Sequence, residues 1–254
     1  MTEPGPVVPL LMASRLRRSF SAGASRFILE IEGFTLVAGS GVAVVGPSGC
    51  GKSSLLAVLS LALAPDAATD PAQALMLAGQ DVLALWRRRD TNALTRLRAD
   101  TIGFVPQTAA LLPFLSLHDN IVLPQRILGR LDPVRVAVLA QGLRIEDILD
   151  RKPAQVSVGQ RQRAAVARAL AHRPRLVLAD EPTASVHPAQ AEEILHLLAQ
   201  VIRDTGAALV ITTHDAARAR DAGFAIAPFQ PAADGITSGF TWYDQRATTA
   251  AARS

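Results

Sequence analysis

Residues 46–54 read Gly-Pro-Ser-Gly-Cys-Gly-Lys-Ser-Ser, and this glycine-rich segment constrains the fold more than any other part of the chain. It follows an apolar run at 41–45 and leads into residues 55–59, which are good helix formers. A strand, a glycine-rich turn and a helix in this order place backbone N–H groups and the positive end of a helix dipole around an anion. With Lys52 and Ser53 at the start of the helix, the pattern predicts a loop that binds the phosphates of a nucleoside triphosphate.

Within this loop, backbone and side chains have different predicted roles. Lys52 is expected to reach the β- and γ-phosphates, and the Ser53 hydroxyl is expected to hold Mg²⁺. The predicted nucleotide-binding residues are Gly46, Pro47, Ser48, Gly49, Cys50, Gly51, Lys52, Ser53 and Ser54. The alternative is a glycine turn with a chance lysine, which the flanking strand and helix argue against.

Two acidic residues, Asp180 and Glu181, follow another apolar run at 176–179. Doubly wound sheets place their ligand-binding groups at the carboxyl ends of strands, so both residues are expected near the phosphate loop. Asp180 is predicted to hold Mg²⁺ opposite Ser53, and Glu181 is predicted to orient and deprotonate the attacking water. The competing interpretation is a surface acidic pair that caps the next segment.

Gln107 and His214 also follow predicted strands, at 102–105 and 208–212. The neutral amide of Gln107 suits a contact to Mg²⁺ or to the attacking water. The imidazole of His214 can form a hydrogen bond with the γ-phosphate. Taken alone, a turn glutamine and a histidine at a strand end are more often structural.

The remaining pattern predicts an α/β fold of the P-loop NTPase type. Strands and helices alternate, which indicates a mostly parallel sheet covered on both faces. Before the phosphate loop, residues 27–32 and 34–37 are typical of short, half-buried antiparallel strands, which predicts an antiparallel β subdomain. Residues 108–157 contain leucine-rich helical pieces, which predicts an inserted helical subdomain. These pieces are interrupted by Pro113, Pro124, Gly129 and Pro133.

Length and composition allow one substantial domain, because the chain has 254 residues and is 49% hydrophobic. We expect this domain to cover residues 7–242, with the helical subdomain at about 108–165 and a frayed tail at 243–254. The single cysteine, Cys50, excludes an internal disulfide and indicates a reducing compartment. The sequence shows no signal peptide and no run of the roughly 18 apolar residues that a spanning helix needs.

The net charge of +4 does not by itself predict nucleic acid as a partner. Arginine clusters lie at 15–18 and 87–89, and such clusters can face nucleic acid or anionic lipid but are more often solvated surface. Aromatic residues make up only 4% of the chain and do not alternate with these arginines, so base stacking is poorly supported. We therefore expect no nucleic acid partner.

Taken together, these segments resemble the motifs of an ATP-binding-cassette (ABC) ATPase. In order, they are the phosphate loop at 46–53, the loop glutamine Gln107, a signature at 156–160, a second Walker motif at 180–183 and a switch histidine at 213–215. The resemblance extends roughly from residue 16 to residue 223. It implies that Ser157, Gly159 and Gln160 of the signature bind nucleotide and that Phe20 stacks on the adenine.

The resemblance also implies cofactors and partners, namely ATP, Mg²⁺, a second ABC ATPase subunit and a separate membrane-spanning subunit. In such ATPases two cassettes, identical or different, dimerise head to tail, and each signature closes over the ATP of the other. The expected location is the cytoplasm, at the inner face of the cell membrane. The alternatives are a non-transport cassette that acts on DNA or the ribosome and a weakly hydrolysing regulatory cassette.

Two residues depart from the family pattern. Val158 stands where the signature usually has its first glycine, and His187 stands where the loop after Thr183 usually has an aspartate. A β-branched residue restricts the backbone and can crowd a phosphate, while the usual aspartate links the two sites of the dimer. These departures predict a weak or asymmetric ATPase, or one that pairs with a different cassette.

Residues 102–107, 111–113 and 119–124 resemble the bacterial branch that serves lipoprotein release, macrolide-type export and a cell-division complex. That branch usually has phenylalanine in place of Pro106 and Glu-Asn-Val at 119–121. Four apolar residues nearby are expected either to meet a coupling helix of the membrane subunit or to fill the helical subdomain. They are Leu111, Phe114, Leu115 and Leu117.

Overall fold

The computed structural model describes residues 8–23, 25–67, 70–184 and 186–247. Within these residues the strands are β1 (Leu11–Ala22), β2 (Ser25–Leu36), β3 (Gly41–Val45), β4 (Ala74–Leu77), β5 (Gln80–Asp81), β6 (Ile102–Val105), β7 (Leu176–Ala179), β8 (Ala208–Thr213), β9 (Ala225–Pro228), β10 (Gln230–Pro231) and β11 (Thr237–Tyr243). The α-helices are α1 (Lys52–Leu59), α2 (Val82–Arg87), α3 (Thr91–Thr101), α4 (Leu117–Leu128), α5 (Pro133–Gly142), α6 (Val158–Leu170), α7 (Pro188–Thr205) and α8 (Ala216–Asp221). Two short 3₁₀ turns, Glu146–Ile148 and Pro153–Gln155, lie between α5 and α6.

Five strands form a parallel sheet in the order β6-β7-β8-β3-β9. Every residue of β7 and β8 is buried, as expected for strands that are covered on both faces. The side chains of β3 alternate between two hydrophobic clusters, so that Val42 and Val44 belong to the cluster of Leu55 in α1, and Ala43 belongs to the cluster of Leu195 in α7. The predicted parallel core between two helical layers is confirmed.

A second sheet has the order β10-β11-β2-β1-β4-β5 and is antiparallel except where β11 lies parallel to β2. This confirms the predicted antiparallel β subdomain, but β1 was not recognised in the sequence. The two predicted strands at 27–32 and 34–37 form the single strand β2. Gly33 does not interrupt this strand; a side chain at Gly33 would collide with Tyr243 of β11, which explains the glycine.

The chain between β6 and β7 forms the helices α4, α5 and α6. The predicted interruption at Pro124 is wrong, because α4 continues through it. Ser116 caps the start of α4 through its side chain, Gly129 ends it in a left-handed conformation, and Leu117 and Ile121 are buried. These caps and this burial outweigh the one backbone hydrogen bond that a proline cannot donate.

Helix α1 is shorter than predicted. It ends at Leu59 rather than near residues 64–66, and Leu61 follows with a positive φ of 58°. A left-handed residue of this kind cannot continue a right-handed helix, so the backbone turns away toward β4.

Asp244 lies beyond β11 and is buried. Its carboxylate accepts hydrogen bonds from the Val37 N–H, at 3.3 Å, and from the Ser40 hydroxyl. The packed part of the chain therefore extends past residue 242, the predicted end of the domain. Residue 7 and residues 248–254, which the predicted boundaries include, lie outside the described residues. No helix in the described part of the chain is both long enough and apolar enough to cross a bilayer.

Candidate functional site

The glycine-rich loop leaves β3 at the carboxyl edge of the parallel sheet and enters α1. Gly49 and Gly51 have φ angles of 80° and 107°, which residues with side chains rarely adopt. Gly51 occupies the N-cap of α1 and provides no side-chain cap for the first N–H groups of the helix. These N–H groups, together with the helix dipole, suit an anionic ligand.

Lys52 is the first residue of α1, and only 4% of its side chain is exposed. Its ammonium group donates hydrogen bonds to the backbone carbonyl oxygens of Gly46 and Pro47, each at 2.9 Å. The same nitrogen lies 3.3 Å from Oε1 of Glu181. A buried cation is thus surrounded by oxygen atoms at the position where the sequence predicts phosphate binding.

Glu181 lies between Lys52 and His214 and contacts both. Its Oε1 faces Lys52, and its Oε2 lies 3.5 Å from Nδ1 of His214. The Glu181 side chain is 15% exposed, whereas His214 is 64% exposed and reaches solvent. The structure therefore brings three of the predicted site residues into one cluster.

Asp180 and Glu181 are connected through Thr212, a residue that the sequence analysis did not single out. The Thr212 hydroxyl donates a hydrogen bond to Oδ1 of Asp180 at 2.7 Å and accepts one from the Glu181 N–H at 2.9 Å. Threonine is common in buried strands because it is β-branched, so the sequence offers no separate signal for this role.

A cavity of about 300 Å³ lies in front of the loop. Its lining includes eight of the predicted residues and one that was not predicted, Phe27. The lining residues are Phe27, Ser48, Gly49, Gly51, Lys52, Ser53, Ser54, Gln107 and Glu181. The phosphate loop, the loop glutamine and the carboxylate of Glu181 therefore share one pocket, as the sequence pattern predicts.

The structure places Phe20 and Phe27 opposite each other on β1 and β2, with ring centroids 5.8 Å apart. Phe27 lines the cavity, and its ring approaches Gly51 so closely that a side chain at Gly51 would collide with it. Phe20 is not part of this lining; its ring packs beside Phe27 and beneath the Arg18 guanidinium, which lies 5.6 Å from the ring centroid. The aromatic face closest to the phosphate loop thus belongs to Phe27.

Cys50 lies within the loop, but its side chain is directed away from the cavity. The thiol is buried in the hydrophobic core and faces Gly46. Any contribution of Cys50 to ligand binding therefore comes from its backbone.

The signature residues lie apart from this cavity, and none of them contributes to its lining. Ser157 caps α6; its hydroxyl accepts the Gln160 N–H, and the Gln160 side chain accepts the Ser157 N–H. Gly159 is buried against the Gln190 side chain, whereas Val158 is 46% exposed on the first turn of the helix. The signature is consequently free to meet a surface other than the phosphate loop of its own chain.

The donor atoms around the cavity suit Mg²⁺. They are the hydroxyl of Ser53 and the amide oxygen of Gln107, whose residues line the cavity. The carboxylate of Asp180 does not line it; Asp180 precedes Glu181 in the chain and accepts a hydrogen bond from the Thr212 hydroxyl. Magnesium prefers oxygen ligands and keeps several of its waters when it is bound beside phosphates, so few protein ligands are needed.

A sequence profile of the family described as ABC transporter matches residues 29–184, more than half of the chain. The chain belongs to the ABC transporter family. It is 39% identical over 216 residues to the lipoprotein-releasing system ATP-binding protein LolD 2 of Caulobacter vibrioides, an alignment that covers 84% of this chain and 91% of that relative. It is also 38% identical over 213 residues to the macrolide export ATP-binding/permease protein MacB of Shigella flexneri, covering 82% of this chain and 31% of that longer protein.

Solved structures of ABC cassettes have the same fold. The dimeric, post-hydrolysis structure of the ATP-binding cassette MJ0796 bound to ADP and Pi superimposes with a TM-score of 0.75 at 29% identity. The superposition covers 86% of this chain and 93% of that cassette. The predicted fold and the resemblance to lipoprotein-release and macrolide-export relatives are thus confirmed.

Proposed function

We propose that this chain is the ATP-binding and ATP-hydrolysing subunit of an ABC transporter, which dimerises with a second ATPase subunit and drives a separate membrane-spanning subunit. The observation that carries the proposal is the cluster of Lys52, Glu181 and His214 at the end of the phosphate loop. A regulatory cassette without hydrolysis would not need a carboxylate held beside the phosphate-binding lysine.

Each residue of the pocket has a proposed role. The N–H groups of the loop and the Lys52 ammonium bind the phosphates of ATP, while Ser53, Asp180 and Gln107 hold Mg²⁺, which neutralises charge that develops on the phosphates. Phe27, rather than Phe20, offers its ring to the adenine, because Phe27 lines the cavity and Phe20 does not.

Glu181 is proposed as the general base. Its carboxylate is anchored near Lys52 and His214, within the same pocket as Gln107, so it can accept a proton from a water aimed at the γ-phosphate. His214 is proposed to donate a hydrogen bond to the γ-phosphate from the exposed side of the pocket. Gln107 orients the same water through its amide.

The signature at Ser157, Gly159 and Gln160 is proposed to bind the ATP held by a second cassette. Two observations support binding in trans: these residues lie outside the cavity of their own chain, and α6 begins with exposed residues at Ser157 and Val158. The solved cassette MJ0796 is described as a dimer. The position of this subunit is proposed to be the cytoplasmic face of the membrane, where LolD-like and MacB-like proteins would meet their permease parts.

The experiment that tests this function compares the parent with Glu181→Gln and with Glu146→Gln, an exposed glutamate in a 3₁₀ turn. We expect Mg²⁺-dependent ATP hydrolysis in the parent, at least about a 100-fold loss of turnover in Glu181→Gln, and parental turnover in Glu146→Gln. With ATP, Glu181→Gln should elute as a dimer and should retain a multi-spanning membrane protein in a pull-down from a detergent extract. Parental hydrolysis by Glu181→Gln would exclude Glu181 as the base, and failure of the parent to bind ATP would refute the whole proposal.

A further inference from the structure

Thr212 lies near the end of β8, where its side chain is fully buried. Strand β8 pairs in parallel with β7, and Ala179 lies opposite Ile211. Asp180 follows Ala179, and Thr212 follows Ile211. These two residues therefore lie side by side at the carboxyl edge of the sheet. This placement gives the Thr212 hydroxyl access to two consecutive residues of the adjacent chain segment.

The chemistry of the three groups fixes the direction of both hydrogen bonds. The Glu181 N–H can only donate, so the Thr212 oxygen accepts from it, at 2.9 Å. The proton of the Thr212 hydroxyl is then directed to Oδ1 of Asp180, at 2.7 Å. One hydroxyl thus holds the side chain of Asp180 and the backbone of Glu181 at the same time.

We propose that Thr212 is a positioning residue of the ATPase site, which fixes the Asp180 carboxylate for Mg²⁺ and the Glu181 backbone for catalysis. This inference rests on the proposed function, because it presupposes that Asp180 and Glu181 have those roles. Thr212 is fully buried and does not line the cavity, so it acts through its two hydrogen bonds.

The backbone of Glu181 shows why such a residue is needed. Its φ angle is 40°, in the left-handed region that a residue with a side chain rarely occupies. Such a conformation persists only when the surrounding structure holds it, and the hydrogen bond from the Glu181 N–H to Thr212 is one such restraint. The conformation in turn sets the direction in which the Glu181 side chain leaves the backbone.

The neighbouring residue Thr213 does not share this role. Side chains alternate along a strand, and the Thr213 hydroxyl accepts the Asp215 N–H at 3.1 Å. Valine in place of Thr212 would keep the shape and the β-branch but would leave the Glu181 N–H and Asp180 without their shared partner. The comparison of Thr212→Val with Thr212→Ser therefore isolates the hydroxyl.

The test measures metal binding as well as turnover. In the Glu181→Gln background, which we expect to bind ATP and to hydrolyse it at least about 100-fold more slowly, binding of Mn²⁺ to the ATP complex is titrated by EPR. We expect Thr212→Val to weaken Mn²⁺ binding about tenfold and, in the otherwise parental chain, to lower kcat about tenfold, as is typical when a hydrogen-bond partner of a metal ligand is removed. Affinity for ATP in EDTA should stay unchanged, and Thr212→Ser should restore both Mn²⁺ binding and kcat.

Thr101→Val is the matched control, since Thr101 is also buried but is the last residue of α3, just before β6 enters the sheet at the opposite end. It should leave Mn²⁺ binding and kcat unchanged. Should Thr212→Val fail to fold, Thr212→Ala carries the same comparison with Thr212→Ser. If Thr212→Val binds Mn²⁺ like the parental chain, or if Thr212→Ser is impaired as much as Thr212→Val, the inference is overturned and the proposed function stays intact. If the chain that carries only Glu181→Gln does not bind ATP, the result counts against the proposed function instead.

Discussion

Nζ of Lys52 lies 3.3 Å from Oε1 of Glu181, in a place where only 4% of the lysine side chain is exposed. The buried ammonium is thus satisfied by this carboxylate and by the carbonyl oxygens of Gly46 and Pro47. A phosphate that binds at the loop competes with these oxygens for the same cation. Binding of ATP is therefore expected to loosen the hold of Lys52 on Glu181 and to free the carboxylate for water.

Replacing Lys52 removes the cation of this pair. Lys52→Ala should raise the Kd for ATP at least about 30-fold, because truncating one partner of a buried charge pair costs about 2–5 kcal/mol. Isothermal titration calorimetry with ATP measures this loss. Lys152→Ala, which changes the only other lysine of the sequence at an exposed position, should bind like the parent. Equal affinity in both variants would contradict the assignment of the phosphate site.

The two phenylalanines of the β1–β2 hairpin should respond differently to truncation. Phe27→Ala should weaken ATP binding about tenfold, since stacking of a base on an aromatic ring contributes about 1–3 kcal/mol. Phe20→Ala should change the affinity less than about twofold, because Phe20 contacts Phe27 and not the cavity. Titration with a fluorescent ATP analogue measures the affinity of both variants. A larger loss of affinity in Phe20→Ala than in Phe27→Ala would show that Phe20, not Phe27, contacts the adenine.

Gly51 has two reasons to be glycine, a φ of 107° and the close Phe27 ring. Gly51→Ala should therefore lower the urea midpoint of unfolding and abolish ATP binding. Gly49→Ala has the same kind of backbone strain, with φ at 80°, but open space around the new methyl group. Gly49→Ala should lower the free energy of unfolding only by the cost of the strained backbone, about 1–3 kcal/mol. Equal destabilisation of the two variants would show that contact with Phe27 is unimportant.

Val158 lies half-exposed on the first turn of α6, next to the signature cap Ser157. Val158→Gly should leave ATP binding unchanged and raise turnover, because it removes a β-branched side chain from the surface that we propose to meet the second cassette. The control is Val134→Gly, an exposed valine in the first turn of α5, which should not change turnover. Turnover is measured as the steady-state ATPase rate at saturating ATP. Unchanged turnover in Val158→Gly would refute the hypothesis that the Val158 side chain slows ATP hydrolysis.

His172 predicts a dependence of stability on pH. Burial lowers the pKa of the His172 imidazole below its ordinary value of 6.5, against a smaller opposing effect of the hydrogen bond with the Ile102 carbonyl oxygen. The unfolded chain then binds more protons than the folded chain, so the free energy of unfolding should fall as the pH drops below about 6.5. Urea unfolding at pH 7.5 and 5.5 should show a smaller decrease for His172→Gln than for the parent.

Much of the site was predictable because its residues occupy short segments that follow recognisable strands. Lys52, Gln107, Glu181 and His214 each follow an apolar run, and parallel strands bring their carboxyl ends to one edge. The order of the strands was not needed for this prediction. The limits of the phosphate loop were also predictable from the sequence, since the apolar run ends where β3 ends, at Val45, and α1 begins at Lys52.

The parts that escaped prediction depend on contacts between distant segments. Phe27 and Phe20 are equivalent in sequence pattern, and only the hairpin geometry decides which ring faces the cavity. Thr212 finds its partners 31 and 32 residues earlier in the chain, so its hydroxyl cannot be distinguished from that of any other strand threonine. Gly33 resembles a turn and is instead a place where another strand approaches.

Strand β11 lies beside β2 as its parallel neighbour. Just beyond these strands, the Asp244 carboxylate accepts a hydrogen bond from the N–H of Val37, 207 residues earlier in the chain. During synthesis, β2 leaves the ribosome long before β11 exists, so one edge of the early hairpin stays open. An open strand edge is a template for pairing with other chains. Nascent or truncated chains that lack β11 should therefore be prone to aggregation, because only β11, the last strand of the described residues, covers this edge of β2.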